Sequence, residues 1–552
     1  MEVQPLNKGL ANGLIYASLG VFLIIGMLAG RHSSRDLDKF IKALYTQGTL
    51  SIGLNFVAVN IGSSLFYSLP EFGTIGGVLG VFSYAIAGVV PVLLVGIIGS
   101  LFREHNPDNW SMSSFLMDRF GIYVNTFYCI ICILFMILYM VGELTTVYGA
   151  YQLLTDVDPT APVIVMAAVT VTYSGKQVIA IAVQYLYFDV FTLLFFFNLH
   201  VLNLLSSIFL AFGGVLASLI TDYIQTLFAL TLIIISIVTI GIKIKIPKGA
   251  PAASDLLTPT KISYTSLYIL MAALIFSTLF HQGFWQRALS SKNEKNLKNG
   301  TYIGAAIILV LFVFVGMAGP LAAWSGLWSE DSDVPGSSTF FLILATMPEW
   351  IVALTLILVT CLGCSAMDTE ICSMAGSIYD LTRNKLNFLA VRVVIVALMV
   401  PVVVIAFKTP DILQIFLLAD LIASAVGPPM LVGLVPQCNL VTEIDALFGG
   451  VMGILSVGIF GCIYLGNAYD GWRLLLLEGG LYTPDNRVLG AFLVAPISSL
   501  GFCFISTAIR WAIYKYLGRE MPVYKRRDFS AENSSLINGD LKGEIRSGSI
   551  EA

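Results

Sequence analysis

The stretch LNFVAVNIGSSLFYSLPEFG, residues 54–73, is apolar enough to cross a membrane, yet its centre is polar and flexible. Asn60, Gly62, Ser63 and Ser64 lie where a lipid-buried helix is normally continuous. Glycine and paired serines at that depth predict an interruption, which would free backbone carbonyls to coordinate a cation. The alternative is an unbroken helix whose small residues let a neighbouring helix approach closely.

The rest of the chain has the composition of an all-α polytopic membrane protein. Of its 552 residues, 57% are hydrophobic and 12% are charged, whereas soluble domains carry about 25% charged residues. Apolar runs recur along the chain, and we predict about thirteen transmembrane spans within residues 1–518. The polar residues 519–552 predict a disordered cytosolic tail. Basic residues lie in short loops rather than on one face, which excludes a nucleic-acid partner and leaves the lipid bilayer.

Lysine and arginine in the short loops predict the orientation of the chain. The basic loops around residues 31–42 and 287–298 and the basic run 525–527 would lie in the cytosol, whereas the acidic loops TDVDPT and SEDSDVPGSS would lie outside. We therefore predict a multi-pass protein of the plasma membrane with its N-terminus outside and its C-terminus in the cytosol.

Two other spans carry carboxyl groups. In the segment 358–381, Ser365, Asp368 and Thr369 share one helix face, and Asp420 lies in the middle of a later span. A charged carboxylate inside a membrane costs about 2.5–3.5 kcal/mol on insertion scales, so these residues indicate functional polar faces. The alternative is a hydrogen bond or ion pair that only joins two helices.

In LIFSTLFHQGFWQRALSSKNEKNLKNG, residues 274–300, an apolar run ends at His281 and Gln282 before a basic loop. His281 is either a proton-sensitive group or a buried histidine of the core. These two side chains are candidates for a substrate cavity.

Four motifs, in this order, resemble the sodium:solute symporter family, whose members carry sugars, proline, pantothenate, iodide and urea. AVNIG (58–62) resembles the broken first core helix, and GGVLASLITDYIQ (213–225) is similar to the Thr-Asp signature. HQGFWQRALSSKNEKNLKNG (281–300) and CSAMDTEICSMAGSIYDL (364–381) are similar to two further family segments. The resemblance covers about residues 10–520 and implies a LeuT-type inverted five-helix repeat with additional peripheral helices.

The resemblance also implies functional residues. Na⁺ would bind between the first and eighth core helices, on the carbonyls of Ala58, Ile61 and Leu362 and the hydroxyl of Ser365. Asp222 matches the acidic residue near the ion's cytosolic exit, although it could simply stabilise a helix N-terminus. For the substrate cavity we predict Asn60, His281, Gln282 and Asp420. No cofactor is expected apart from the coupling ion.

Two departures from the family pattern bear on the ion and the substrate. Ser365-Ala366 replaces two adjacent serines, which removes one hydroxyl ligand and leaves a proton as the alternative coupling ion. His281 and Gly283 replace the asparagine and the gating tyrosine of the sugar carriers, which argues against a sugar. Urea, a polyamine or an amino acid fits better.

An apolar segment at residues 178–211 matches nothing in the family. Deleting the 36 residues 175–210 would join VTVTYS directly to AFGGVLASLITD, as in family members. We interpret the segment as a translated intron, the alternative being a genuine membrane hairpin. The function predicted for the whole chain is cation-coupled import of a small solute by alternating access, not enzymatic catalysis. A transport-inactive nutrient sensor of the same fold is the alternative.

Overall fold

The computed structural model describes residues 5–29, 45–105, 111–174, 215–332, 334–382, 385–386, 388–408, 411–478, 480–482 and 485–524. The insert predicted at residues 178–211 lies outside these ranges, as do residues 525–552 of the predicted tail. The domain boundaries predicted for these two segments therefore stay predictions.

The described residues form an all-helical protein. Its α-helices longer than one turn are α1 (Lys8–Ala29), α2 (Thr49–Asn60), α3 (Leu65–Ile75), α4 (Gly77–His105), α5 (Met112–Phe120), α6 (Ile122–Leu154), α7 (Thr160–Ser174), α8 (Val215–Lys243), α9 (Lys261–Phe280), α10 (Gln282–Ser290), α11 (Glu294–Gly316), α12 (Ala318–Trp324), α13 (Thr339–Ala345), α14 (Glu349–Leu381), α15 (Phe388–Ala406), α16 (Ile412–Leu431), α17 (Glu443–Leu465), α18 (Ala468–Arg473) and α19 (Arg487–Tyr516).

The lengths and composition of these helices confirm a polytopic membrane protein. Ten spans in the described part of the chain are long and apolar enough to cross a bilayer, and α2 with α3 form an eleventh candidate that is bent by 65°. Helices α7 and α15 are not among these candidates, because their apolar parts, Thr160–Val171 and Ala390–Ala406, are shorter than 18 residues. The predicted count of thirteen spans is therefore not confirmed.

The interruption predicted near Asn60 is present. Helix α2 ends at Asn60, and Ile61 leaves the helix with φ −112° and ψ 81°, so the alternative of an unbroken helix is wrong. A second interruption separates α9 from α10 at His281, whose backbone is extended at φ −71° and ψ 121°. The break between α2 and α3 releases backbone groups within one candidate span, where only protein or water can satisfy them.

Helix α14 passes beside both interruptions. It is buried along most of its length and packs against α1, α6 and α8. Its contacts with α2 and α10 bring the two breaks to the same region of the protein. Helices α9 and α16 also pack against each other. Polar residues from six separate stretches of sequence are gathered inside an otherwise apolar bundle.

Candidate functional site

A cavity of about 100 Å³ lies at the two helix breaks. Three of the four predicted substrate residues, Asn60, His281 and Asp420, line it. The fourth, Gln282, is not among its lining residues. The polar residues that the prediction did not include are Ser64, Ser68, Tyr84, Tyr139, Glu143, Ser277, Thr278, Thr369 and Glu370. We refer to this space as the central cavity.

One carboxyl group of the central cavity belongs to Asp420 on α16. The hydroxyl of Tyr139, on α6, donates a hydrogen bond of 2.8 Å to its Oδ1 atom. The Tyr139 ring stacks on Phe135 at 4.5 Å between centroids and meets Phe416 edge-on at 4.8 Å. These rings fix the tyrosine, which in turn fixes the carboxyl group at the cavity wall.

His281 and Glu370 form a second polar pair in the cavity. The Nδ1 atom of His281 accepts a hydrogen bond of 2.9 Å from the Gly283 amide, and Nε2 lies 2.9 Å from each carboxyl oxygen of Glu370. Because Nδ1 accepts a backbone N–H, the ring proton of a neutral histidine lies on Nε2 and is donated to Glu370. His281 thus both caps α10 and orients a carboxyl group on α14.

Glu143, on α6, is the third carboxyl group and lies against the break between α2 and α3. Its Oε2 atom accepts hydrogen bonds from the Ser63 amide at 2.8 Å, the Ser63 hydroxyl at 2.6 Å and the Ser64 amide at 3.3 Å. Its Oε1 atom accepts one from the Ser64 hydroxyl at 2.5 Å. A carboxyl group from a distant helix therefore satisfies the N–H groups that the break leaves exposed.

The remaining wall of the central cavity is aromatic. Six rings line it, from Tyr84, Phe135, Tyr139, Phe284, Phe312 and Phe416. Among the described lining residues there is no lysine or arginine. Carboxyl groups set among aromatic faces suit an organic cation, because the ring faces attract positive charge and accommodate methylene groups.

A second, much smaller cavity adjoins α2, α8 and α14. It is lined by all four residues that the sequence proposes as ion ligands: Ala58, Ile61, Leu362 and Ser365. Its volume of about 10 Å³ is close to the smallest space that holds one water molecule. Ala366 lines the central cavity instead, so the two neighbouring residues face different spaces. We refer to this second space as the ion cavity.

A buried ion pair lies directly beside the ion cavity. The hydroxyl of Ser365 donates to Asp222 Oδ1 at 3.2 Å, and Arg287 Nη2 donates to Asp222 Oδ2 at 2.6 Å. Both charged side chains are completely buried. Arg287 Nη2 also donates to the Thr369 hydroxyl at 2.8 Å, so α8, α10 and α14 meet in one network. The alternative in which Asp222 only stabilises a helix N-terminus does not explain these contacts.

Gln282 lies outside both cavities. Its side chain is fully buried on α10, and its amide atoms have no hydrogen-bond partner among the described residues. Glu143 was missed, and Glu370 was not assigned to the substrate cavity, although both are acidic residues within apolar spans, the same signal that identified Asp420. Their role could not be read from that signal, because it depends on which distant side chains face them.

A third cavity of about 510 Å³ lies at the C-terminal end of α3. Glu71, Glu330 and Asp411 line it together with Trp328. Ser64 and Ser68 line the α3 side of the central cavity. Ser68 lies four residues after Ser64 and three residues before Glu71, so the three side chains share one helix face. That face passes from the central cavity to the third cavity.

Comparisons with known proteins agree with this architecture. No protein-family model matches the chain. Among solved structures, the fold is similar to that of a Na⁺-coupled sialic acid symporter in its substrate-bound outward-open state, with a TM-score of 0.67, 14% identity and coverage of 94% of this chain and 99% of the other. The nucleobase–cation symporter Mhp1 in a closed conformation gives a TM-score of 0.49 at 11% identity, over 85% and 94% of the two chains.

Among curated proteins, the chain is 32% identical over 515 residues to the spermidine transporter DUR31 of Candida albicans. The match covers 92% of this chain and 91% of the relative. The relationship confirms the prediction of a transporter rather than an enzyme. The chain belongs to the family of membrane transporters that includes this spermidine transporter.

Proposed function

We propose that the chain is a Na⁺-coupled symporter of the sodium:solute symporter family that imports a polyamine. The observation that carries the proposal is the central cavity, where Glu143, Glu370 and Asp420 lie among six aromatic rings. The spermidine transporter among its relatives supports the same substrate class.

A polyamine is a chain of methylene groups with an ammonium group at each end. Ammonium groups would pair with the carboxyl groups of Asp420 and Glu370 through charge-assisted hydrogen bonds. The methylene segments would lie against the aromatic rings and the ammonium groups against their faces. Urea is uncharged and would leave the carboxylates of Asp420 and Glu370 without a positive partner, and burying an unpaired charge is costly.

The cavity volume indicates that binding of a polyamine requires movement. About 100 Å³ is less than the roughly 150 Å³ that accommodates benzene in an engineered cavity. A longer amine would extend along the shared face of α3 towards the third cavity, whose Glu71, Glu330 and Asp411 would attract cations. In the orientation proposed for the chain, this third cavity lies on the outer side.

The ion cavity would couple the gradient to this movement. Na⁺ prefers hard oxygen ligands, which the carbonyls of Ala58, Ile61 and Leu362 and the hydroxyl of Ser365 would provide. An ion held there joins α2 to α14 and would stabilise the outward-open state of a LeuT-type inverted repeat of thirteen spans. Asp222 would receive the ion on its way to the cytosol. A proton is the alternative coupling ion.

The proposal is tested by uptake of radiolabelled spermidine into cells that express the full chain, with urea, amino acids and pantothenate as further substrates. Spermidine uptake in sodium medium that is lost in choline medium is the expected result. Uptake that does not depend on sodium but stops when the pH gradient is collapsed would identify the proton as the coupling ion. Surface expression without uptake of any substrate would favour the transport-inactive sensor. Sequencing the mature transcript tests separately whether residues 175–210 are a translated intron.

A further inference from the structure

Glu143 fills a position that attracts anions. Helix α3 has eleven residues and starts at the break, and the first N–H groups of any helix lack internal partners and carry positive partial charge. In transporters with discontinuous helices, such a half-helix N-terminus points at an anionic group of the substrate. Here the amides and hydroxyls of Ser63 and Ser64 at this end all donate to the carboxyl group of Glu143.

We propose that Glu143 is a built-in carboxylate that determines specificity: it occupies the place of a substrate carboxylate and so restricts the carrier to amines without one. This inference rests on the proposed polyamine function for the class of amine. It adds that amino acids with the same cationic chain are excluded at this position.

The position faces the central cavity. Glu143, Gly62 and Ser64 all line the central cavity, so a substrate carboxylate that reached the α3 N-terminus would arrive beside Glu143. Two carboxylates that share one site cannot both remain ionised without strong repulsion. The α3 N-terminus has no room for the substrate's own carboxylate, because Glu143 is only 4% exposed and fills the space in front of Gly62.

The other acidic residues of the cavity have different surroundings. Asp420 is held by a tyrosine hydroxyl. Glu370 is held by His281, which lies at the break between α9 and α10 and itself accepts the Gly283 amide. At that break the histidine, not the carboxyl group, accepts the amide. Glu143 alone among these three binds the α3 N-terminus. Removing the charge of Glu143 should therefore reduce the preference for amines over the matching amino acids. Removing the charge of Asp420 should instead lower the affinity for ammonium groups.

Matched substrates separate these effects. Putrescine and ornithine, cadaverine and lysine, and agmatine and arginine share the same cationic chain and differ in the α-carboxylate. Each compound is tested as a competitor of radiolabelled spermidine uptake by the full chain. In the unaltered protein, the half-inhibitory concentration of each amino acid should be at least about a hundredfold higher than that of its amine. Glu143→Gln should reduce this ratio of the two concentrations at least about tenfold, because it removes the charge that repels the substrate carboxylate.

Asp420→Asn is the matched control, since it should weaken both members of each pair and leave their ratio within about twofold. If ornithine competes as well as putrescine in the unaltered protein, the inference is overturned while the proposed function stands. This measurement does not depend on whether any variant folds. An unchanged ratio in a surface-expressed Glu143→Gln protein would also overturn it. Absence of spermidine uptake by the unaltered protein would overturn the proposed function and this inference with it.

Discussion

Replacing Ser365 by alanine tests the ion cavity most directly. The Ser365 hydroxyl is the one side-chain oxygen among the four proposed ligands, and it also donates to Asp222 at 3.2 Å. Without it, an ion in the cavity would keep three backbone carbonyls, and Asp222 would lose one of its hydrogen bonds. The main-chain path of α14 should not change, because alanine fits a helix interior at least as well as serine.

The size of the effect follows from the interaction that is removed. A polar contact to a charged group contributes about 1.5–3 kcal/mol, and 1.4 kcal/mol corresponds to a tenfold change in affinity. Ser365→Ala should therefore raise the Na⁺ concentration for half-maximal spermidine uptake about 10- to 150-fold. The maximal rate at saturating sodium should fall much less.

The assay is initial-rate uptake over a sodium series, normalised to the protein at the cell surface. Ser377→Ala is the matched control, because Ser377 is also buried on α14 and lies outside both cavities. Its sodium dependence should match that of the unaltered protein. A Ser365→Ala protein with the same sodium dependence as this control would remove the hydroxyl from the ion site.

Three further substitutions test the surroundings of the two cavities. Ala366→Ser restores the serine pair of the family. It should leave sodium affinity within about twofold, because residue 366 faces the central cavity. A clear gain in sodium affinity would show that the ion lies nearer to this residue. Gly62→Ala would place a methyl group against a buried carboxyl group and should cost about 1–3 kcal/mol, seen as a lower melting temperature in detergent. Gly20→Ala, where no described residue would lie within 4 Å of the added methyl group, should not lower the melting temperature. Asp222→Asn leaves the Arg287 charge buried without its partner and should cost about 3–5 kcal/mol; adding Arg287→Met should recover at least half of the lost stability, and a double variant less stable than the single would contradict this reading of the pair.

The sequence by itself determined the features that depend on local composition. Long apolar runs can only be satisfied as helices in a bilayer, so the class of protein follows from hydropathy alone. The break at residues 61–64 was also predictable, because glycine, paired serines and asparagine weaken a helix wherever they occur together in a span. The motif order placed Ala58, Ile61, Leu362 and Ser365 in one proposed site, and they do line one cavity.

Only the tertiary structure decided which distant groups meet. Ser63 and Glu143 are 80 residues apart in the chain, and His281 and Glu370 are 89 apart, so no local pattern links them. Gln282 follows His281 immediately, yet only the histidine lines the central cavity. His281 has an extended backbone at the break, whereas Gln282 is the first residue of α10, so the direction of each side chain depends on where the helix begins. Hydropathy specifies that a helix is buried, whereas the packing of its neighbours determines which polar side chain finds a partner.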